Sequence, residues 1–455
     1  MHQIGTKRRK KPGTFTGTGT FTGWMLALAF FMFAGSGLAQ SSSRASVRAT
    51  VDSRPVTEVV VAGGNRALLK IAVAGGGVDS MSQMVASTLS HDFVLSSLFD
   101  VLDPKSFTAN PNEGMRVNLE SWRNVGADAV VKIRVTPRGG SRWRVEMKLF
   151  VIARGPVEVL SAPAPTAADP TGSRDFASSQ VRGEVHQFAN DVIKWFTGSP
   201  GSFGARLVYS APIGRGQRGI FSIDSDGYGA TKLDAVSSVA LAPVIGPGGV
   251  YYSAGLPTGA YWIYRVGSPQ PFLNHPGMLF GVAFQGQKAA FVASQGGQTD
   301  IYRGAADGTN LTKVTSGGLN THPAFGPNGQ LAYVSNHGGT PQIYVDGKRV
   351  SPRGTYNMAP VWCVDSESGG TRILFMGRDA GTWDIFSVDP SGDVSTMRRL
   401  TQDQGSNTYP ACSPTDGRTV AFFSSRGGLY LSNTLGQNQQ KIANVMGESL
   451  RWEGN

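Results

Sequence analysis

Six histidines and two cysteines are scattered over 455 residues, and their spacing limits the chemistry they could do. Cys363 and Cys412 lie too far from each other and from paired histidines for a structural zinc site of the usual close spacing. A serine hydrolase would need a G-x-S-x-G elbow, and no such pentapeptide is present. "DSDGYG" (224–229) opens like a calcium loop, but the next acidic residue is Asp234 and the closing bidentate Glu is missing, so it reads as a β-turn. "AGGGVDS" (74–80) lacks the Lys of a phosphate loop and reads as a strand-to-helix turn. His91 reads as a surface or packing residue, His186 as a contact between domains, and His337 as part of a tight turn. His275, Thr321, His322, Asn357, Asn407 and Thr408 fall at the starts of recurring strands and form a polar rim without a carboxylate. Such a rim neutralises a hard cation poorly and offers no facing carboxylates for glycoside chemistry. The expectation is therefore no catalytic residue, no metal and no cofactor. A propeller enzyme (lactonase or glycan hydrolase) and a glycan-binding propeller are the alternatives.

The elements that would position these residues follow from periodicity. From Gly204 onward an apolar-aromatic pair recurs at Ile220, Ile263, Ile301, Ile343, Ile385 and Leu429, at spacings of 43, 38, 42, 42 and 44. A second strand precedes each pair, and a third element, as in "PAFGPNG" and "PACSPTDG", precedes several of those. Six repeats of this length, four strands each, have the period of a β-propeller. The first repeat enters at "RLVYS" (206–210), a second strand, while "SLRW" (449–452) stands where an inner strand should. The spacing thus predicts that the C-terminal strand completes the first blade. Pro is expected to open the inner strands, where it forfeits no ladder hydrogen bond. Cys412 takes the slot of Trp362, and Cys363 lies one residue further along. On adjacent strands that offset sends the side chains to opposite faces, which predicts free, buried thiols.

Upstream, residues 67–198 read as an α/β domain. It has a buried strand at 68–74, a helix from Asp79 or Ser80 to about Ser97, a second helix near 117–126, a hairpin over 127–152 and a long helix over roughly 173–196. Residues 40–66 read as a flexible leader, and 1–39 as a signal peptide. "KRRKK" (7–11) is its cationic start, 24–35 its apolar core, and the cleavage point lies near Ala39/Gln40. Those five cations account for nearly half of the formal charge of +11. The remaining cations are dispersed, so nothing forms the clustered footprint that nucleic acid requires.

Several stretches resemble one family. "HQFANDVIKWFTGSPGSFGARLVYS" (186–210) is similar to the junction between the two domains of the TolB family, the periplasmic part of the Tol–Pal system of Gram-negative bacteria. "SIDSDGYGATKL" (222–233) and "LSSLFDVLDP" (95–104) match further family patterns. The resemblance implies an all-β six-bladed propeller (204–455) preceded by a smaller α/β domain. It also implies a monomeric, non-enzymatic periplasmic adaptor that supports outer-membrane integrity and envelope constriction at division. Two partners are implied. Pal, a peptidoglycan-associated lipoprotein, would meet the channel mouth at His275, Thr321, His322, Asn357 and Thr408, the last two by repeat position alone. TolA would meet the leader at Glu58, Val59, Val60 and Val61. Membrane association would run only through these partners.

Overall fold

A computed structural model describes residues 68–107, 113–164, 174–233, 235–273, 275, 277–364, 369–379, 381–414 and 417–453. The stretches read as signal peptide (1–39) and leader (40–66), with Glu58, Val59, Val60 and Val61, lie outside the described residues.

The first domain is a mixed sheet built from β1 (Leu69–Gly75), β2 (Phe99–Val101), β3 (Ala129–Gly139), β4 (Arg142–Val151), β5 (Glu158–Ala162) and β6 (Asp175–Ala177). The order is β2-β1-β3-β4-β5, with β6 beside the start of β4. β1 runs parallel to both neighbours, and β3–β4 is an antiparallel hairpin. Alternation along β1 sends Ile71 and Val73 to one face, under helices α1 (Ser80–Leu95) and α3 (Ser178–Thr197). Ala72 and Ala74 face the other way, toward Trp122 of the short helix α2 (Leu119–Asn124). Asp79 caps α1 by accepting from the Ser82 N–H at 3.0 Å. The turn before it needs Gly75, because at φ 103° an added Cβ would lie 2.3 Å from the Ile133 carbonyl oxygen. The last helix starts later than its apolar pattern predicts. Arg144 holds Asp175 at 2.7 Å, and 175–177 extend the sheet instead.

Six four-stranded blades follow, and their innermost strands are Glu448–Trp452, Val239–Gly246, Met278–Gln285, Asn320–Phe325, Tyr356–Val364 and Asn407–Cys412. A lone parallel bridge, Val239↔Arg218, links the first sheet to the second. The strand Glu448–Trp452 pairs antiparallel with Arg206–Gly214, so the first blade combines strands from both ends of the propeller segment. Each sheet is open, yet each inner strand contacts the next in cyclic order, with Glu448–Trp452 touching both Asn407–Cys412 and Val239–Gly246. Neighbouring blades bury each other's faces: the Trp362 ring lies over Gly326 of the preceding blade, where an added Cβ would sit 2.7 Å from the indole.

Proline does not open the inner strands. Pro243, Pro323, Pro360 and Pro410 lie inside them, just past a bulge. The residue before each proline (Ala242, His322, Ala359, Tyr409) has positive φ of 47–53°, and Ser449 repeats the device at 54°. The bulge takes these residues out of the ladder, so the missing N–H leaves no gap there.

The cysteines are not free thiols. Cys363 and Cys412 form a disulfide with Cα atoms 5.5 Å apart. The one-residue offset does point them to opposite faces, but the two strands belong to stacked sheets rather than one sheet. Trp362 donates from its indole to Ala324 of the preceding blade, so Cys363 beside it turns toward the following blade. Cys412, in the Trp362 slot of that following blade, turns back. Opposed faces of neighbouring blades look at each other, and the offset brings the sulfurs together.

Candidate functional site

The bulged inner strands surround the axis of the ring. Thr321, Thr408 and Glu448 occupy the same register position, the last ladder pair before the bulge. Leu241 and Met358 take that position in two other blades. Glu448 is a carboxylate at an inner-strand start, one residue ahead of the strand expected at 449–452. Arg218 holds it at 3.0 Å and also bonds Ser210. Burial raises the Glu448 pKa, and Arg218 opposes this.

Arg451 follows on the same strand and feels both Tyr409 and His322 electrostatically. His322 belongs to the blade diametrically opposite the first, so this coupling spans the axial channel. Its ring lies 2.9 Å from the Thr321 hydroxyl. Burial first, and the Arg451 charge second, lower the His322 pKa to about 4, so it is neutral at pH 7. Burial, with Glu448 second, pushes the Tyr409 hydroxyl well above its ordinary range. One carboxylate already paired with Arg218, beside a further guanidinium, is a poor site for a hard cation or for paired-carboxylate hydrolysis.

The other rim residues behave differently. His275 precedes the third inner strand, accepts from the Gly277 N–H at 3.1 Å and packs its ring 5.8 Å from Tyr302. Among the described residues no hydrogen bond ties it to the axial group. Thr408 is half-buried at its strand start. Asn357 is 1 % exposed, and its amide donates to Gln342 Oε1 at 2.7 Å and to the Arg353 carbonyl. In this conformation Asn357 offers no group to an incoming partner. It belongs to a buried stitch that recurs between blades. Asp300, Gln342 and Asp384, spaced by 42 residues, accept from Thr315, Ser351 and Thr401. Asn320 and Asn357 of the following blades reach the first two.

A second polar cluster joins the two domains. His186 on α3 meets Asp92 of α1 through Nδ1 at 2.7 Å, and its Nε2 lies 3.9 Å from Asp226 in the "DSDGYG" turn. Arg182 pairs with Asp226 and donates to Thr88 at 2.8 Å, while His91 lies 3.1 Å from the Asp226 carbonyl. His186 is a domain contact, and "DSDGYG" is a turn with its Asp226 spent on that contact. Asp92, His186 and Asp226 have the residue types of a cation site. Arg182, however, already neutralises Asp226, and one imidazole cannot offer both nitrogens to one ion. His337 lies edge-on to Tyr344, as a turn residue does.

Two family models match the chain, the TolB amino-terminal domain over 57–157 and the TolB beta propeller domain over 193–449. The Tol-Pal system protein TolB of Anaeromyxobacter dehalogenans is 31% identical over 263 residues, covering 54% of this chain and 57% of that protein. That of Anaeromyxobacter sp. strain K is 31% identical over 294 residues, covering 61% and 64%. The matched part is thus less than two thirds of these relatives' length. The crystal structure of TolB from Acinetobacter baumannii superposes with a TM-score of 0.67 at 20% identity, over 85% of this chain and 97% of that one, which speaks to the fold. An amino-terminal domain of one TolB type, followed in the same chain by a propeller of the other, places this protein in the TolB family.

Proposed function

We propose that this protein is a non-enzymatic periplasmic adaptor of the Tol–Pal system. The propeller mouth receives Pal, and the leader segment at Glu58, Val59, Val60 and Val61 engages TolA. The observation that carries this reading is the pairing of both TolB-type domains, in that order, in one chain. The site chemistry supports it. The rim presents Thr321, His322 and Thr408 on strands locked by blade stacking, with His275 just ahead of the third inner strand, so a partner meets largely preformed groups and little loop entropy is lost on binding. Asn357 sustains the rim from beneath through Gln342.

The test is surface plasmon resonance with the periplasmic domain of Pal over immobilised protein. The triple variant His275→Ala/Thr321→Ala/Thr408→Ala should bind at least tenfold more weakly with its thermal unfolding unchanged. Deleting 58–61 should remove TolA capture and spare Pal. Equal Pal affinity in wild type and triple variant would refute the assignment of the mouth.

A further inference from the structure

We propose that the axial channel binds a single carboxylate or comparable oxyanion, gripped by the Arg451 guanidinium with the Tyr409 hydroxyl and the His322 imidazole as additional donors.

The argument starts from unspent hydrogen-bonding capacity. Arginine carries five N–H donors. Among the described residues the Arg451 guanidinium makes one hydrogen bond, to the Leu450 carbonyl at 2.8 Å, and no ion pair. The Tyr409 hydroxyl has no hydrogen-bond partner among them. When His322 Nδ1 accepts the Thr321 hydroxyl proton, its Nε2–H becomes a third donor, with no partner there either. Tyr409 and Arg451 lie on inner strands in contact and His322 on the inner strand of the opposite blade, and among the described residues of these three strands the one carboxylate, Glu448, is taken by Arg218. Arg218 and Glu448 cancel, so Arg451 leaves the channel with one positive charge.

The bulge that recurs along the inner strands places both Tyr409 and His322, at positive φ, outside the ladder. Burial lowers the Arg451 pKa to about 10, with Tyr409 opposing, and the side chain is half-buried. An oxyanion bound across the guanidinium fork would favour its charged form. The site shares His322 with the rim residues assigned to Pal, while Arg451 and Tyr409 are not among them, so the Arg451 and Tyr409 variants separate the two readings.

The experiment is isothermal titration of the full-length protein with sodium malonate against sodium chloride at matched ionic strength, so that screening is constant. Wild type should show saturable malonate binding. Arg451→Gln should bind at least tenfold more weakly. Tyr409→Phe, which removes one O–H and keeps the ring, should bind about three- to tenfold more weakly; it carries the test if Arg451→Gln does not fold. Malonate that competes with Pal would assign the site to a partner's acidic side chain, and simultaneous binding would assign it to a free anion. Malonate heat indistinguishable from chloride, or equal affinity in wild type and Tyr409→Phe, would overturn the proposal. Loss of malonate binding with Pal capture intact, or the reverse, separates this inference from the adaptor assignment.

Discussion

Removing the Cys363–Cys412 bridge should cost the propeller much of its stability. The bridge closes a loop with a sequence separation of 49 and ties the fifth and sixth inner strands. The chain-entropy relation gives about 4 kcal/mol for a loop of that length, through loss of freedom in the unfolded chain. That is a large share of the 5–15 kcal/mol that typically holds a domain together. With a urea slope of roughly 3 kcal/mol/M, the midpoint should fall by about 1.3 M. The assay is urea unfolding followed by tryptophan fluorescence, on wild type and on Cys363→Ala, Cys412→Ala and the double variant. Each single substitution abolishes the same cross-link, so either alone should destabilise nearly as much as both, a strongly non-additive pattern. Both sulfurs are buried, so thiols should be counted in urea without reductant, where wild type should show none. Two reactive thiols per chain, an unchanged midpoint or additive singles would each refute the reasoning. A bridge fits an oxidising compartment, in line with the proposed periplasmic location.

Three further expectations follow from the same structure. Deleting residues 447–455 removes the inner strand of the first blade, including fully buried Leu450 and the Glu448–Arg218 pair, and Leu450→Ala alone should cost about 2–5 kcal/mol; a thermal melt unchanged by the deletion would contradict the observed pairing. Stability should also depend on pH through Asp92, whose pKa burial raises to about 6 against the opposing His186 hydrogen bond. The folded state then holds this proton more tightly than the unfolded chain does. The contribution is complete below about pH 3.8 and is lost as pH rises through 6, by up to about 3 kcal/mol. Denaturation of wild type and Asp92→Asn at pH 5 and 7.5 should show the variant gaining relative to wild type at the higher pH; a constant difference would refute the assignment. Finally, Asn357→Ala should lower stability by about 1–3 kcal/mol, by removing the buried amide that donates to Gln342 and to the Arg353 carbonyl, before it alters partner affinity, as denaturant unfolding and Pal titration of the same variant would show.

Much of the architecture was legible before any coordinates. The 42-residue period, the entry of the repeat at a second strand and the apolar stripe of α3 are local patterns, and local patterns report backbone geometry directly. The rim was legible only as residue types. Thr321 and Thr408 stand at equivalent register positions, whereas Asn357 shares the Asn-x-x-Pro position of Asn320 and Asn407, one residue earlier and buried in all three. Glu448 fell one residue before the inner strand expected at 449–452, and Arg451 lay inside it with no local pattern to relate it to Tyr409 and His322.

What the sequence by itself determined is the existence and order of the recurring propeller strands and of β1, β3 and β4, since those follow from period-2 patterning and turn residues within a few positions, while β5 and β6 showed no such pattern. Only the tertiary structure decided which faces meet. Stacked blades turned the offset of Cys363 and Cys412 into a bond, brought Arg451 across from His322, and gathered Asp92, His186 and Asp226 at the domain contact. These contacts join residues tens to hundreds of positions apart, and their geometry depends on how whole sheets stack, which no local pattern records.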